Sequence, residues 1–116
     1  MHNNQKNIDI IKKFNLSPHP EGGWFREKVR SKNFLISDDG QSINFITGIY
    51  CLLERDKKST WHRIKNADEI WIFLSGDPLN LWSLDNDNKL IRNLILDSNN
   101  PVEMIPSGYW QAAKSK

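Results

Sequence analysis

The sequence contains very little cysteine: Cys51 is the only one among 116 residues. A single cysteine excludes an intramolecular disulfide and a metal site built only from thiolates. Because Cys51 lies within the apolar segment ITGIYCLL, we predict that it is a small, buried side chain.

Long apolar runs are also missing. No stretch approaches the roughly 20 apolar residues that a membrane-spanning helix needs. The N-terminal segment MHNNQKN lacks the apolar core of a signal peptide. We therefore expect a cytoplasmic protein with no membrane partner.

Charge of one sign is not concentrated anywhere in the chain. The 16 basic and 14 acidic residues give a net charge of +2, and the longest basic runs are Lys12-Lys13 and Lys57-Lys58. Nucleic-acid binders usually cluster their basic residues, so we expect no nucleic-acid partner. Neither the P-loop nor the dinucleotide-binding glycine pattern occurs, which argues against a phosphate-binding loop.

The composition that is present predicts one compact domain over residues 1–116. Apolar residues make up 38% and charged residues 26%, as in ordinary globular proteins. Near the N-terminus, Ile8, Ile11 and Phe14 are at helical spacing, which predicts a helix over about residues 7–16 with Asn7 as its cap. The helix should end before SPHPEGG, since proline disfavours helix and glycine permits unusual dihedral angles.

Short alternating segments separated by turn residues follow the predicted helix. Because parallel sheets would need crossover helices between the strands, the pattern favours an all-β sandwich or barrel. Six strands are predicted, over residues 24–30, 42–53, 69–74, 79–84, 89–95 and 102–105.

The strand that begins at Glu69 has two apolar faces. Side chains alternate along a strand, so Glu69, Trp71 and Phe73 share one face and Ile70 and Ile72 share the other. This pattern predicts a second sheet on one side and a partner subunit or loop on the other. Glu69 must then be paired or ligated, since an isolated buried carboxylate is costly.

Two segments resemble the paired motifs of the cupin superfamily. The first is His62-x-Ile64-x4-Glu69-x6-Gly76, and the second is the stretch PSGYWQ at 106–111. In this resemblance, Ile64 and Gln111 stand where the family usually has metal-binding histidines.

Other segments resemble one small, single-domain cupin family of unknown function. They are HPEGG at 19–23, RS at 30–31, IYCLL at 49–53, GDPL at 76–79 and WQAA at 110–113. The resemblance implies an all-β, cupin-type double-stranded β-helix, or jelly roll, over about residues 24–113 with one N-terminal α-helix. It also implies a homodimer, and it leads us to expect that the last strand or two of the jelly roll are missing.

Three functions remain open on this resemblance. Small-molecule binding would use His62, Glu69 and Gln111 as convergent polar groups. A metal-free epimerase or isomerase would use His62 as the base, oriented by Glu69, with a tyrosine as the acid. A metal-dependent oxygenase would bind a divalent cation through His62, Glu69 and Gln111, although Ile64 supplies no ligand.

Aromatic residues and the HPEGG stretch are the remaining candidates for the pocket and its chemistry. We expect the pocket walls to be aromatic and the acid of an isomerase to be Tyr50 or Tyr109. The HPEGG stretch is interpreted as a helix-to-strand connection rather than a catalytic loop. The expected aromatic wall consists of Trp61, Trp71, Phe73 and Trp110.

Overall fold

The computed structural model describes residues 2–85, 87 and 89–116, with side chains from residue 5 onward. These residues are mostly β with one N-terminal helix, which confirms the predicted fold class. The elements are α1 (His2–Phe14), β1 (Ser17–Pro18), β2 (Trp24–Arg30), β3 (Phe34–Ile36), β4 (Ser42–Asn44), β5 (Thr47–Leu52), β6 (His62–Arg63), β7 (Glu69–Ile72), β8 (Leu79–Asp85), β9 (Leu90–Leu96), β10 (Val102–Ile105) and β11 (Trp110–Ser115).

The helix differs from its prediction at both ends. It already includes His2, so Asn7 is not its cap, and it stops at Phe14 because Asn15 has a left-handed φ of 53°. The amides of Asn15 and Leu16 donate to the carbonyls of Lys12 and Ile11, a pattern that closes helices through a left-handed residue. No helix in the described part of the chain is both long and apolar enough to cross a membrane.

The chain divides into two compact units, and the first contains α1 and β1 to β5. Its antiparallel sheet has the order β1-β2-β5, and β3 pairs with β4. The predicted strand 42–53 is therefore two strands, β4 and β5. The prediction for Cys51 was wrong: β5 alternates in burial, and Cys51 falls on the exposed face.

The second unit consists of residues 20–23 and 53–116 and contains two packed sheets. The larger sheet has the order β6-β11-β8-β9, and the smaller sheet pairs β10 with β7. Leu81, Leu96 and Ala113 of the larger sheet form a buried cluster with Ile105 of the smaller one. Face-to-face packing of two sheets around such a cluster is the core of a β-sandwich. Truncating Leu81 to alanine should cost about 2–5 kcal/mol of stability.

The interior of this sandwich has an apolar half and a polar half. Leu81 lies opposite Ala113 in the register of β8 and β11, and two positions along, Ser83 lies opposite Gln111. Because side chains two positions apart share a face, Ser83 and Gln111 point into the same interior as the core pair. The first polar pair, Ser83 and Gln111, is therefore the next inward-facing pair after the core pair Leu81 and Ala113.

The outer face of the smaller sheet is apolar and exposed. Ile70 and Ile72 of β7 are each 63% exposed, and their register partners Met104 and Val102 are also exposed. Trp71, which faces the other way, packs against the core cluster. The larger sheet therefore covers one face of β7, as predicted.

Candidate functional site

Gln111 lies at the centre of the polar half and is only 1% exposed. It sits in β11 between two register partners, His62 of β6 and Ser83 of β8. Residues directly opposite each other in antiparallel strands place their side chains on the same face. The sheet therefore brings His62, Gln111 and Ser83 into one row facing the smaller sheet.

Two side chains of β7 fix the Gln111 amide from the opposite sheet. The indole Nε1 of Trp71 donates to Oε1 of Gln111 at 2.9 Å. Because an indole N–H can only donate, it fixes which end of the amide is oxygen. The amide Nε2 then donates to Oε2 of Glu69 at 2.9 Å. Glu69 is thus paired, as predicted, and the buried amide is satisfied at both ends.

The His62 ring is oriented by a backbone carbonyl. Its Nδ1 lies 2.7 Å from the carbonyl oxygen of Thr60. A carbonyl only accepts hydrogen bonds, so Nδ1 carries a proton and the neutral ring has its lone pair on Nε2. In the described structure the ring is therefore oriented by the Thr60 carbonyl, and the expected orientation by Glu69 stays a prediction.

The HPEGG stretch supports the segment that leads to His62. The amide of Thr60 donates to the carbonyl of Glu21 at 2.6 Å. Gly22 has a φ of +111°, and a Cβ at this position would lie 2.6 Å from the carbonyl oxygen of Lys58. Only glycine tolerates both conditions. These contacts agree with a structural role for Glu21-Gly22, whereas the His19 ring packs on Phe25 in the first unit.

The loops of the two sequence motifs are joined by hydrogen bonds. The amide of Gly108 donates to the carbonyl of Ile64 at 2.7 Å, and the amide of Ser107 donates to Oδ1 of Asp68 at 2.9 Å. Gly108 has a φ of +84°, which favours glycine at this turn. These bonds hold the start of β11 beside β6 and so stabilise the register that places Gln111 opposite His62.

Ser83 belongs to this site and was missed by the sequence analysis. It is 4% exposed, and its hydroxyl has no hydrogen-bond partner among the described residues. Every fully enclosed side-chain nitrogen or oxygen in that part of the chain does have a partner, so the hydroxyl must touch open space. The sequence signal that could have identified it is strand alternation. Ser83 lies two residues after Leu81 and four after Leu79, so its side chain faces the same interior.

Tyr109 is held in its protonated form. Its hydroxyl donates to Oδ2 of Asp85 at 3.3 Å. The negative charge of Asp85 raises the pKa of Tyr109 above its usual value of 10.0, and burial and the hydrogen bond raise it further. A raised pKa makes this hydroxyl a weaker general acid than an unperturbed tyrosine. The other candidate acid, Tyr50, lies in the first unit with its ring against Phe14.

The expected aromatic wall is only partly present. Trp71 and Phe73 both pack against the core cluster beside the polar half. Trp110 does not belong to the wall: it lies on the opposite face of β11 from Gln111, with the Arg63 guanidinium 5.0 Å from its ring centre. Trp61 is 43% exposed, and among the described residues no ring contact or hydrogen bond connects it to Gln111.

The donor set does not fit a catalytic divalent metal. Three good donors are usual in such sites, and here only the His62 imidazole and the Glu69 carboxylate are strong ligands. The third candidate, Oε1 of Gln111, already accepts the Trp71 indole hydrogen bond. Among the described residues, no three histidine, cysteine, aspartate or glutamate side chains are grouped closely enough to hold a metal ion.

Comparisons with known proteins identify the fold and the family of the chain. A search of curated proteins gives no match. Two solved structures share the fold: a hypothetical protein from Leishmania major, with 28% identity and a TM-score of 0.81, and a protein from Shewanella oneidensis, with 26% identity and a TM-score of 0.78. The alignments cover 92% and 93% of this chain and 68% of each of the other chains.

The family described as "Cupin superfamily (DUF985)" matches residues 8–116, which include both motifs and all the strands of the second unit. The match covers nearly the whole chain, and the solved structures support the same fold. The resemblance seen in the sequence is thereby confirmed, and the chain belongs to this cupin family of unknown function.

Proposed function

We propose that the second unit binds a small molecule in the polar half of its interior. The observation that carries this proposal is the arrangement of His62: its Nδ1 bonds to the Thr60 carbonyl, which leaves the lone pair of Nε2 available on the face it shares with Gln111. On the opposite sheet, Glu69 accepts one hydrogen bond from Gln111 and retains a second carboxylate oxygen. Both His62 and Glu69 are partly exposed, so a ligand can reach them.

A thermal-shift screen tests the proposal. The probes are neutral monosaccharides, sugar phosphates, sugar nucleotides and small organic acids, each added to the wild-type chain and to His62→Ala. A ligand present at about 100 times its Kd stabilises a protein by about 2.7 kcal/mol. We expect at least one probe class to stabilise the wild type and to lose most of that effect in His62→Ala.

Arg63→Gln is the matched control for this screen. Arg63 follows His62 in β6, but its side chain lies on the outer face against Trp110. Ligand stabilisation should survive in Arg63→Gln. Stabilisation that is equal in wild type and His62→Ala, or absent for all four classes, would refute binding at this site.

An isomerase or epimerase is the second candidate function. It is favoured by the same free Nε2, which is the form of histidine that removes a proton from carbon. Because the Asp85 charge raises the pKa of Tyr109 and so weakens it as an acid, His62 would return the proton itself. Return by the same residue suits transfer between adjacent carbons by an isomerase, whereas inversion at one carbon by an epimerase would need a second acid on the opposite face of the substrate. Exchange of carbon-bound substrate hydrogen with deuterated water should then occur and should require His62. Absence of exchange for every ligand that binds would exclude this candidate.

We also propose a homodimer formed through the exposed face of β7 and β10. The four outward side chains of these strands are Ile70, Ile72, Val102 and Met104, and none carries a charge. A second copy of the same apolar face is the partner that such a surface matches, by two-fold pairing. Light scattering after size-exclusion chromatography should give a dimer mass for the wild type and a monomer mass for Ile70→Lys. A monomeric wild type would refute the dimer, and a dimeric Ile70→Lys variant would exclude this face.

A further inference from the structure

Two buried serines of the second unit have opposite hydrogen-bonding situations. Ser59 Oγ accepts the amide hydrogen of Ala113 at 2.9 Å. Ser83 is more deeply buried, yet its hydroxyl has no partner among the described residues. Because no fully enclosed side-chain oxygen in the described residues lacks a partner, the Ser83 hydroxyl reaches open space on the inward face of β8, where it is available to a ligand.

The surroundings of Ser83 show which atoms a ligand would meet. The Gln111 amide beside it is used at both ends, by Trp71 and by Glu69. The groups with remaining capacity are therefore the Ser83 hydroxyl, Nε2 of His62 and the second oxygen of Glu69. They lie on both sides of Gln111, since His62 and Ser83 are its register partners and Glu69 contacts it from the other sheet.

These atoms select a ligand by their hydrogen-bonding character. Nε2 of the neutral imidazole and the carboxylate of Glu69 only accept hydrogen bonds, whereas the Ser83 hydroxyl both donates and accepts. A phosphate or carboxylate group offers only acceptors and would meet the Glu69 charge. A sugar or cyclic polyol offers several hydroxyl donors and no charge, and its apolar ring face suits the neighbouring Trp71.

We propose that Ser83 is a ligand-contacting residue and that the ligand is a neutral, hydroxyl-rich molecule held by Ser83, His62 and Glu69. This inference rests on the proposed binding function. It adds a residue that the cupin motifs do not include and a chemical class for the ligand.

Calorimetric titration with matched pairs of probes tests whether the ligand is neutral and hydroxyl-rich. Glucose is compared with glucose 1-phosphate, and myo-inositol with an inositol monophosphate, so that each pair differs by the charged group. We expect at least one neutral member to bind and its phosphorylated partner to bind at least tenfold more weakly. Tighter binding of the phosphorylated members would overturn the assigned class.

Substitution of Ser83 tests the contact. Ser83→Ala should weaken binding of the neutral probe about tenfold, the usual effect of losing one hydrogen bond to a ligand. Ser115→Ala is the control, because Ser115 lies on the same face at the other end of β11, opposite Leu79. The melting temperature of ligand-free Ser83→Ala should match the wild type, which shows that the variant folds.

The outcomes separate this inference from the proposed function. If a probe binds in a manner that requires His62 but is indifferent to Ser83→Ala, the binding function stands and the role of Ser83 is refuted. If an anionic probe binds best and still requires His62, the binding function again stands and the neutral class is refuted. If no probe of any class binds, both are refuted.

Discussion

Trp71 and Glu69, two residues apart on β7, hold the two ends of the same buried amide of Gln111. The indole donates to the amide oxygen and the carboxylate accepts from the amide nitrogen. This bridge between the sheets requires a side chain at position 111 that accepts at one end and donates at the other, as an amide does at every pH.

The bridge predicts a pH-dependent defect in Gln111→Glu. The new carboxylate could still accept from Trp71, but its second oxygen would face Glu69, and two adjacent carboxylates raise the pKa of one of them. Because the pKa of one of these carboxyl groups is raised in the folded state, the variant keeps its stability below the unfolded-state glutamate pKa of about 4.3. It loses stability as the pH rises through the folded-state pKa. We expect near-wild-type stability at about pH 4 and a growing loss towards neutral pH, at up to about 1.4 kcal/mol for each pH unit.

Urea denaturation at several pH values measures this effect. Gln41→Glu is the control, because Gln41 is exposed and should show no such slope. A stability difference between wild type and Gln111→Glu that stays constant with pH would contradict the bridge.

The contrast between Ser59 and Ser83 predicts unequal effects of the same substitution. Ser59→Ala removes the acceptor of the Ala113 amide and should cost about 1–3 kcal/mol. Ser83→Ala removes a hydroxyl that has no partner in the described structure, so the free energy of unfolding should be unchanged or slightly higher. Chemical denaturation of both variants without ligand provides the comparison, and equal losses would show that Ser83 has a structural partner.

Gly22→Ala should destabilise the second unit more than a substitution at another left-handed glycine. Positive φ alone costs a non-glycine residue about 1–3 kcal/mol. At Gly22 the added Cβ also lies 2.6 Å from the Lys58 carbonyl oxygen, whereas at Gly76, with a φ of +103°, it meets nothing within 4 Å. The loss of stability for Gly22→Ala should therefore exceed that for Gly76→Ala in thermal unfolding. Equal losses would mean that the close approach to Lys58 has no energetic weight.

Tyr109 should titrate above the usual tyrosine pKa of 10.0. The charge of Asp85 is the largest cause of its raised pKa, and Asp87 adds a smaller effect in the same direction. A raised folded-state pKa gives stability that is complete below the unfolded pKa of about 10 and is lost as the pH rises through the folded-state value.

Phenolate absorbance in a Tyr50→Phe background isolates Tyr109, because the chain has two tyrosines. Asp85→Asn should lower the apparent pKa, and Asp87→Asn should lower it less. An unchanged titration in Asp85→Asn would refute the assigned cause.

The sequence predicts the parts of the fold that depend on local alternation. Strands 24–30 and 102–105 have the predicted bounds, and the parity argument at Glu69 correctly separates inward Trp71 from outward Ile70. The strand Trp110–Ser115 was missed because WQAAKS has neither alternation nor β-branched residues, and its pairing with β8 is what makes it a strand.

The candidate site was predictable in its motif residues but not in its contacts. Cupin spacing identified His62, Glu69 and Gln111, whereas the carbonyl that orients His62 belongs to Thr60, which no pattern marks. Trp110 could not be assigned to a face without the strand register, and Cys51 was misjudged because its apolar neighbours alternate in exposure. The cytoplasmic location stays a prediction.

The two halves of the sandwich interior lie on the same strands, with Leu81 and Ser83 only two positions apart on β8. The residues that stabilise the fold are therefore sequence neighbours of the residues proposed to set ligand preference. The two groups have different roles. Under the proposed binding function, substitution at Ser83 or His62 should change ligand preference while Leu81, Leu96 and Ala113 still hold the sheets together. With the proposed function, this division would let point mutations alter ligand preference without loss of the scaffold.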